Sequence, residues 1–180
     1  RLVKRMGSDH LLRAMAEVIR ERPQVRLWIA GDGPQREELR QLAAELGLLG
    51  QVEFLGRISQ EELVRRYQAA DVSVVPTLTL EGFGLVTVES LACGTPVIGT
   101  PYGGTREILS RFTPHLLFRD HSPEAMAGLI RRIADGEVTL PERDACRGYV
   151  LAHYTWDHVV QSVCEVFAAE AAQKRGLMRA

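Results

Sequence analysis

A chain of 180 residues with 46% hydrophobic content is long enough for one domain, and size scaling lets such a domain bury roughly 70% of its unfolded surface. Its 22 basic and 23 acidic residues are interspersed and leave a net charge of −1, which gives no electrostatic case for a nucleic-acid partner. No apolar run approaches a membrane span, no signal-peptide pattern opens the chain, and Cys93, Cys146 and Cys164 lie too far apart for a disulfide framework, so reduced thiols are expected.

Taken in order, Leu2 and Val3 read as the end of a strand. Gly7, Ser8 and Asp9 read as a turn with capping side chains before a helix from about His10 to Arg20, whose Leu11, Leu12, Met15, Val18 and Ile19 share one face. Val25 to Ala30 is a short apolar strand ending in the tight turn Gly31-Asp32-Gly33-Pro34, and a charged helix then runs to about Leu46 with Gly47 as its stop. Val52 to Leu55 is the next strand and Gly56-Arg57-Ile58 its exit. Ser59 with Glu62 is a capping box for a helix reaching Ala69.

Val72 to Val75 is a further strand, Pro76 to Gly84 a long loop, and a helix from Leu85 to Ala92 feeds the strand Pro96 to Gly99. Tyr102-Gly103-Gly104-Thr105 starts another short helix, Leu116 to Phe118 is a last strand, and Ser122-Pro123-Glu124 caps a helix toward Ala134. The tail from Glu142 to about Arg175 reads as two helices broken near Tyr154-Thr155-Trp156. Thr155 caps the second, and Trp156, Val159, Val160, Val163 and Phe167 form its apolar stripe.

Strands alternating with helices this regularly predict an α/β fold, a doubly wound, Rossmann-like parallel sheet with helices on both faces. Residues 1–140 make its body, and residues 141–180 are C-terminal helices of the same domain. Ligands of such sheets sit outside the carboxyl ends of the strands, where the turns after Ala30, Leu55, Val75 and Ile98 fall.

The stretch Glu81 to Gly99, EGFGLVTVESLACGTPVIG, is the centre of that crevice. Backbone N–H groups of Gly82, Phe83, Gly84, Leu85 and Val86 surround a helix start that has no partners for them, which makes an anion site. Carboxylates at Glu81 and Glu89 beside an anion site fit a ligand that also carries hydroxyls, and a sugar nucleotide combines a diphosphate with sugar hydroxyls. The plainer alternative makes Glu81 a cap and Glu89 a solvated surface residue.

The glutamate pair with seven residues between, the GFG inside it and the following ACGTPVIGT resemble the donor-site signature of the family 4, or group 1, retaining glycosyltransferases of GT-B fold. The resemblance runs from Arg1 to the last helix and covers the C-terminal half of such an enzyme. It implies transfer of a hexose from a UDP-, GDP- or ADP-sugar to an acceptor hydroxyl, with no metal and no separate cofactor. It makes Glu81 and Arg1 the catalytic pair, Glu81 at the donor sugar and Arg1 facing the diphosphate.

Leu85 and Val86 match the phosphate-binding amides after Gly82, Phe83 and Gly84, Glu89 matches the ribose ligand, and Arg57 and Ile58 match the segment framing the base. Gly31 and Gly33 let the backbone approach the nucleotide. The family's lysine before the next glycine is replaced by Met6 before Gly7, so Lys4 or Arg5 reaches the diphosphate instead, or the amides carry more of its charge. An arginine fork suits the leaving diphosphate because it offers several donors and stays charged.

The same resemblance makes the chain an excised donor domain, opening within a motif at Arg1. Its partner is an N-terminal acceptor domain to which the last helix crosses, so the chain alone should bind donor and transfer poorly. It is expected in the cytoplasm, with any peripheral contact at the inner membrane face made through that other domain.

Other chemistries have less support. Gly31-Asp32-Gly33 is half a dinucleotide fingerprint with Pro34 in the next place and no third glycine. His10, His115, His121, His153 and His158 show no metal-ligand spacing, and no G-x-S-x-G turn supports acyl chemistry. A sugar-nucleotide 2-epimerase and a non-catalytic nucleotide-binding module stay open as alternatives, the first disfavoured by the glutamate pair.

Overall fold

The computed structural model describes residues 1–79 and 81–177, so Leu80 of the long loop and the last three residues of the 141–180 part lie outside the described residues. Four strands alternate with helices. Strands β1 (Leu27–Ala30) and β2 (Val52–Gly56) pair in parallel, as do β3 (Ser73–Val75) and β4 (Val97–Gly99). The helices are α1 (Ser8–Glu21), α2 (Arg36–Glu45), α3 (Gln60–Ala69), α4 (Leu85–Ala92), α5 (Gly103–Phe112), α6 (Pro123–Ala134), α7 (Arg143–His153) and α8 (Trp156–Leu177).

Packing follows the apolar spacing. The stripe Leu11, Leu12, Met15, Val18 and Ile19 is buried on α1 and shares one core with Met126, Ala127 and Ile130 of α6, Leu39 of α2, Ile29 of β1 and Ile98 of β4. A second core under α4 and α5 joins Val75, Leu91, Val97, Ile108 and Leu109 to Cys146 and Val150 of α7. On α8, Trp156 is 81% exposed and Phe167 71%, so its apolar stripe is uncovered. No helix among the described residues is long and apolar enough to cross a membrane.

Four local expectations need correction. No side chain caps α1, whose N-cap is Gly7 and whose first residue is Ser8 rather than His10. Leu2–Val3 is not a strand: Leu2 donates to the Asp32 carbonyl at 3.0 Å and accepts from the Gln35 N–H at 3.2 Å, so its partners lie in the turn after β1 and the entry to α2, and no ladder forms. Leu116–Phe118 is not a strand either. Pro114–Leu116 is a turn of 3₁₀ helix, followed by a single parallel bridge between Leu117 and Gly99. At α3 the capping box is half made. Ser59 Oγ accepts from the Glu62 N–H at 3.1 Å, but the Glu62 carboxylate turns to the charged Arg66 Nε at 2.8 Å instead of back to the cap.

The sheet comes as two hydrogen-bonded pairs. Leu27 and Gly31 donate toward β2, to Gln51 and Gly56 at 2.9 and 2.7 Å. Alternation therefore turns Trp28, Ala30 and Asp32 to the opposite edge of β1. In the other pair Ser73 donates to Pro96, and Val75 accepts from Thr100, which turns Val74 and Pro76 away from β4. Among the described residues no strand is hydrogen-bonded along either of these two edges.

Residues 1–7 tie the ends of both edges together. Leu2 bonds Asp32, Arg5 O accepts from Leu78 N–H at 2.8 Å, and Gly7, with φ +67°, packs so closely on Pro76 that a Cβ there would sit 2.1 Å from its carbonyl oxygen. The loops that follow β1, β2, β3 and β4 thus open on one side of the molecule, with the N-terminal segment bonded to those after β1 and β3.

Candidate functional site

Helix α4 begins at Gly84, whose φ of +81° is left-handed and whose missing Cβ would meet Thr105 N at 2.9 Å. No side chain caps the helix. The Thr87 and Val88 N–H groups take the Gly84 carbonyl at 2.9 and 3.3 Å, and among the described residues those of Leu85 and Val86 have no acceptor. Leu85 is 63% exposed and Val86 44%, so these two side chains lie against water while Thr87, Ser90 and Leu91 of the same helix are buried. Two free amides at a helix start form a positive end facing solvent.

Glu89 is exposed one turn further along α4, on the side of Leu85 and Val86 by i+4 and i+3 spacing. Its charge reaches Tyr67 and Cys93. Burial first, and then Glu89, pushes the Tyr67 phenol up to about 12, and the same two causes raise the Cys93 thiol.

Glu81 is half-buried and turns the other way, its Oε2 accepting the Thr105 N–H at 3.1 Å in the first turn of α5. The loop is seated on two glycines. A Cβ at Gly103 would come within 2.5 Å of the Glu81 carbonyl oxygen, and one at Gly104 within 2.1 Å of that of Phe83. Beneath the seat, the buried hydroxyls of Thr87 and Thr105 share a hydrogen bond of 2.6 Å, locking α4 to α5.

The second group of candidate residues gathers at β1 and β2. Gly33 faces Leu2, where a Cβ would be 2.3 Å from the carbonyl oxygen, and a Cβ at Gly31 would stand 3.9 Å from the Arg1 backbone nitrogen. The Gly31 N–H bonds Gly56, the residue before exposed Arg57 and half-buried Ile58. Arg36 closes the floor, its guanidinium 3.5 Å from the position a Gly56 Cβ would take and 3.8 Å from Asp32 Oδ2. Arg1, Gly31, Gly33, Arg57 and Ile58 are thus neighbours, and so are Glu81, Gly82, Phe83, Gly84, Leu85, Val86 and Glu89. The link between the groups runs through residues 5–7 and 76–78.

Gly103, Gly104 and Thr105 entered the sequence reading only as a helix start, although they hold the Glu81 loop. The available signal was the tandem glycine itself, since two adjacent residues without Cβ at a helix start imply a close backbone neighbour. The arrangement can receive an anion at α4 and hydroxyl groups at two carboxylates.

Parallel α/β architecture with the candidate residues at the strand ends is the class this fold defines, and the solved structures it superposes on have the GT-B glycosyltransferase fold. The chain belongs to the glycosyl transferases group 1 family, whose model matches residues 1–153. It is 36% identical to a D-inositol 3-phosphate glycosyltransferase of Acidothermus cellulolyticus, covering 97% of this chain and 41% of the relative. It is 31% identical to a GDP-mannose-dependent monoacylated alpha-(1-6)-phosphatidylinositol monomannoside mannosyltransferase of Corynebacterium glutamicum, covering 94% and 46%.

The Anabaena protein HepE, solved in complex with UDP-glucose, superposes with a TM-score of 0.79 at 26% identity, over 94% of this chain and 47% of that one. The chain therefore spans less than half the length of these relatives.

Proposed function

We propose that this chain holds the nucleotide-diphosphate-sugar donor of a retaining group 1 glycosyltransferase that works without a metal ion. The observation that carries the reading is the uncapped start of α4, with the Leu85 and Val86 amides open between Glu81 on one side and Glu89 on the other. Diphosphate oxygens fit the amides, where the helix end and the Arg1 fork spread the charge that develops as the sugar C1–O bond breaks. Glu89 takes the two ribose hydroxyls, Glu81 the hydroxyls of the sugar, and the backbone around Gly31, Gly33, Arg57 and Ile58 frames the base.

The acceptor hydroxyl attacks C1 from the face the diphosphate leaves and passes its proton to the departing phosphate oxygen as the C1–O bond breaks, which needs no protein nucleophile. Its binding site belongs to an N-terminal domain in the part of the longer relatives this chain does not match. The donors that relatives are named for or solved with, GDP-mannose and UDP-glucose, are the first ligands to try.

Titration calorimetry of the 180-residue chain with UDP-glucose, GDP-mannose and ADP-glucose tests the reading. Glu89→Ala should lower affinity for the bound donor at least tenfold, about 1.4 kcal/mol, with an unchanged melting temperature. Equal affinity in wild type and variant removes the ribose assignment.

A further inference from the structure

Beside the Glu81 loop stands a cluster of rings that the donor reading does not use. Tyr102 precedes Gly103, so it adjoins the Glu81 carbonyl, and it lies half in solvent at the entry to α5. Its hydroxyl is 3.1 Å from His121 Nδ1, and the His121 carbonyl is 2.8 Å from Nδ1 of His10 in the first turn of α1. The His121 ring centroid is 5.8 Å from those of both Tyr102 and His10. Three separate segments thus bring three rings to the strand-end side of the molecule.

The hydrogen-bond role of His10 is set by its partner. A carbonyl only accepts, so His10 Nδ1 carries a proton and donates to His121, which leaves Nε2 of the uncharged ring as an acceptor. Either atom can be the donor between Tyr102 and His121, so His121 Nε2 is a donor in one tautomer, with the hydroxyl donating to Nδ1, and an acceptor in the other. The ledge therefore offers an acceptor at His10 and a polar ring nitrogen at His121, with aromatic faces beside them. Two neighbouring sugar hydroxyls match that pair, because each hydroxyl both donates and accepts, while the C–H face of a pyranose suits an aromatic surface.

We propose that Tyr102, His121 and His10 bind the sugar ring of the donor through two adjacent hydroxyls, beyond the contacts of Glu81. This rests on the donor reading above. Diphosphate and ribose are gripped at α4, so the ledge should act on the sugar alone.

The experiment compares calorimetric affinities of the 180-residue chain and its His121→Ala and Tyr102→Phe variants for UDP-glucose against UDP, and GDP-mannose against GDP. For the pair the wild type binds, each variant should lose about tenfold in affinity for the sugar nucleotide, the worth of one or two hydrogen bonds, and keep its affinity for the bare diphosphate within twofold. Parallel losses of both ligands together with a lowered melting temperature would show that the rings merely staple α1 to α5, and unchanged affinities would assign the ledge to the acceptor or to nothing; either result overturns the proposal. Glu89→Ala separates the two levels. If it weakens both ligands while the ledge variants change neither, the donor reading stands and only the ledge fails; if the wild type binds no sugar nucleotide, both fall.

Discussion

Gly104→Ala tests whether backbone contact holds the donor loop in place. A methyl at 104 would lie 2.1 Å from the Phe83 carbonyl oxygen and 2.6 Å from that of Gly82, whereas ordinary contact begins near 3.4 Å, so the loop must retreat by about 1.3 Å. Overpacking of that kind costs about 1–3 kcal/mol. Alanine in a helix returns at most about 0.5–1 kcal/mol over glycine, leaving a net loss of up to about 2.5 kcal/mol.

The loop gives way before the core does, because Phe83 is 55% exposed and nothing lies within 4 Å of a Cβ at Gly82. Its retreat pulls Glu81 from Thr105 and unseats Gly84, so donor affinity should fall at least tenfold while the urea midpoint drops modestly. Gly128→Ala, inside α6 with open space around it, is the matched control, expected to gain about 0.5–1 kcal/mol and bind donor as wild type. If the two variants behave alike in both assays, the loop is not held by the glycine seat.

Thr87→Val leaves the fully buried Thr105 hydroxyl without its 2.6 Å partner and should cost about 1–3 kcal/mol by urea denaturation. The double variant with Thr105→Val should recover most of that loss, and strict additivity would refute the coupling. Hydrogen bonds from Ser122, with Arg119 adding, hold the Asp120 carboxyl at about 2 against its usual 3.8. A depressed carboxyl adds stability above its unfolded value and loses it as pH falls from about 4 through about 2, so Asp120→Asn should flatten that part of the acid profile; an unchanged acid slope would contradict the assignment. Native-state hydrogen exchange of this chain should find the Trp28 and Ala30 amides, which face the open edge of β1, exchanging at least about 100-fold faster than those of Leu27 and Gly31. Equal protection would mean that the edge is paired.

Much of the fold was legible where the signal is local. Helix α4 spans the predicted Leu85 to Ala92 because Gly84 and Gly94 bracket an apolar run, and Ser122-Pro123 starts α6 as a hydroxyl cap before a proline does. Strands were less legible because pairing is not a property of one segment. Leu2–Val3 and Leu116–Phe118 have the composition of strands, yet the first pairs with turn residues and the second makes a single bridge. The site divided in the same way: the chain announces Glu81, Glu89 and the glycines between, but not that Gly103 and Gly104 receive the loop. Buried threonine pairs such as Thr87 and Thr105 gave no sign at all, since a threonine reads the same whether its hydroxyl meets water or another threonine.

The division of the crevice has a physical consequence for how a donor is gripped. The proposed base and sugar contacts stand on different strand pairs, Gly31, Gly33 and Arg57 at the ends of β1 and β2, Glu81 and Glu89 beyond β3. Those pairs share a core through Ile29 and Ile98, but no rung of ladder joins them among the described residues. At the mouth they are bridged by residues 1–7, through Leu2 on Asp32, Arg5 on Leu78 and Gly7 on Pro76. By those assignments the gap falls between the base, framed beyond β1 and β2, and the ribose and diphosphate beyond β3, so the nucleoside is the part of the donor that must bridge it, with Arg1 proposed on the segment that links the two sides. The same short segment would then both join the two sides of the site and receive the donor's leaving charge.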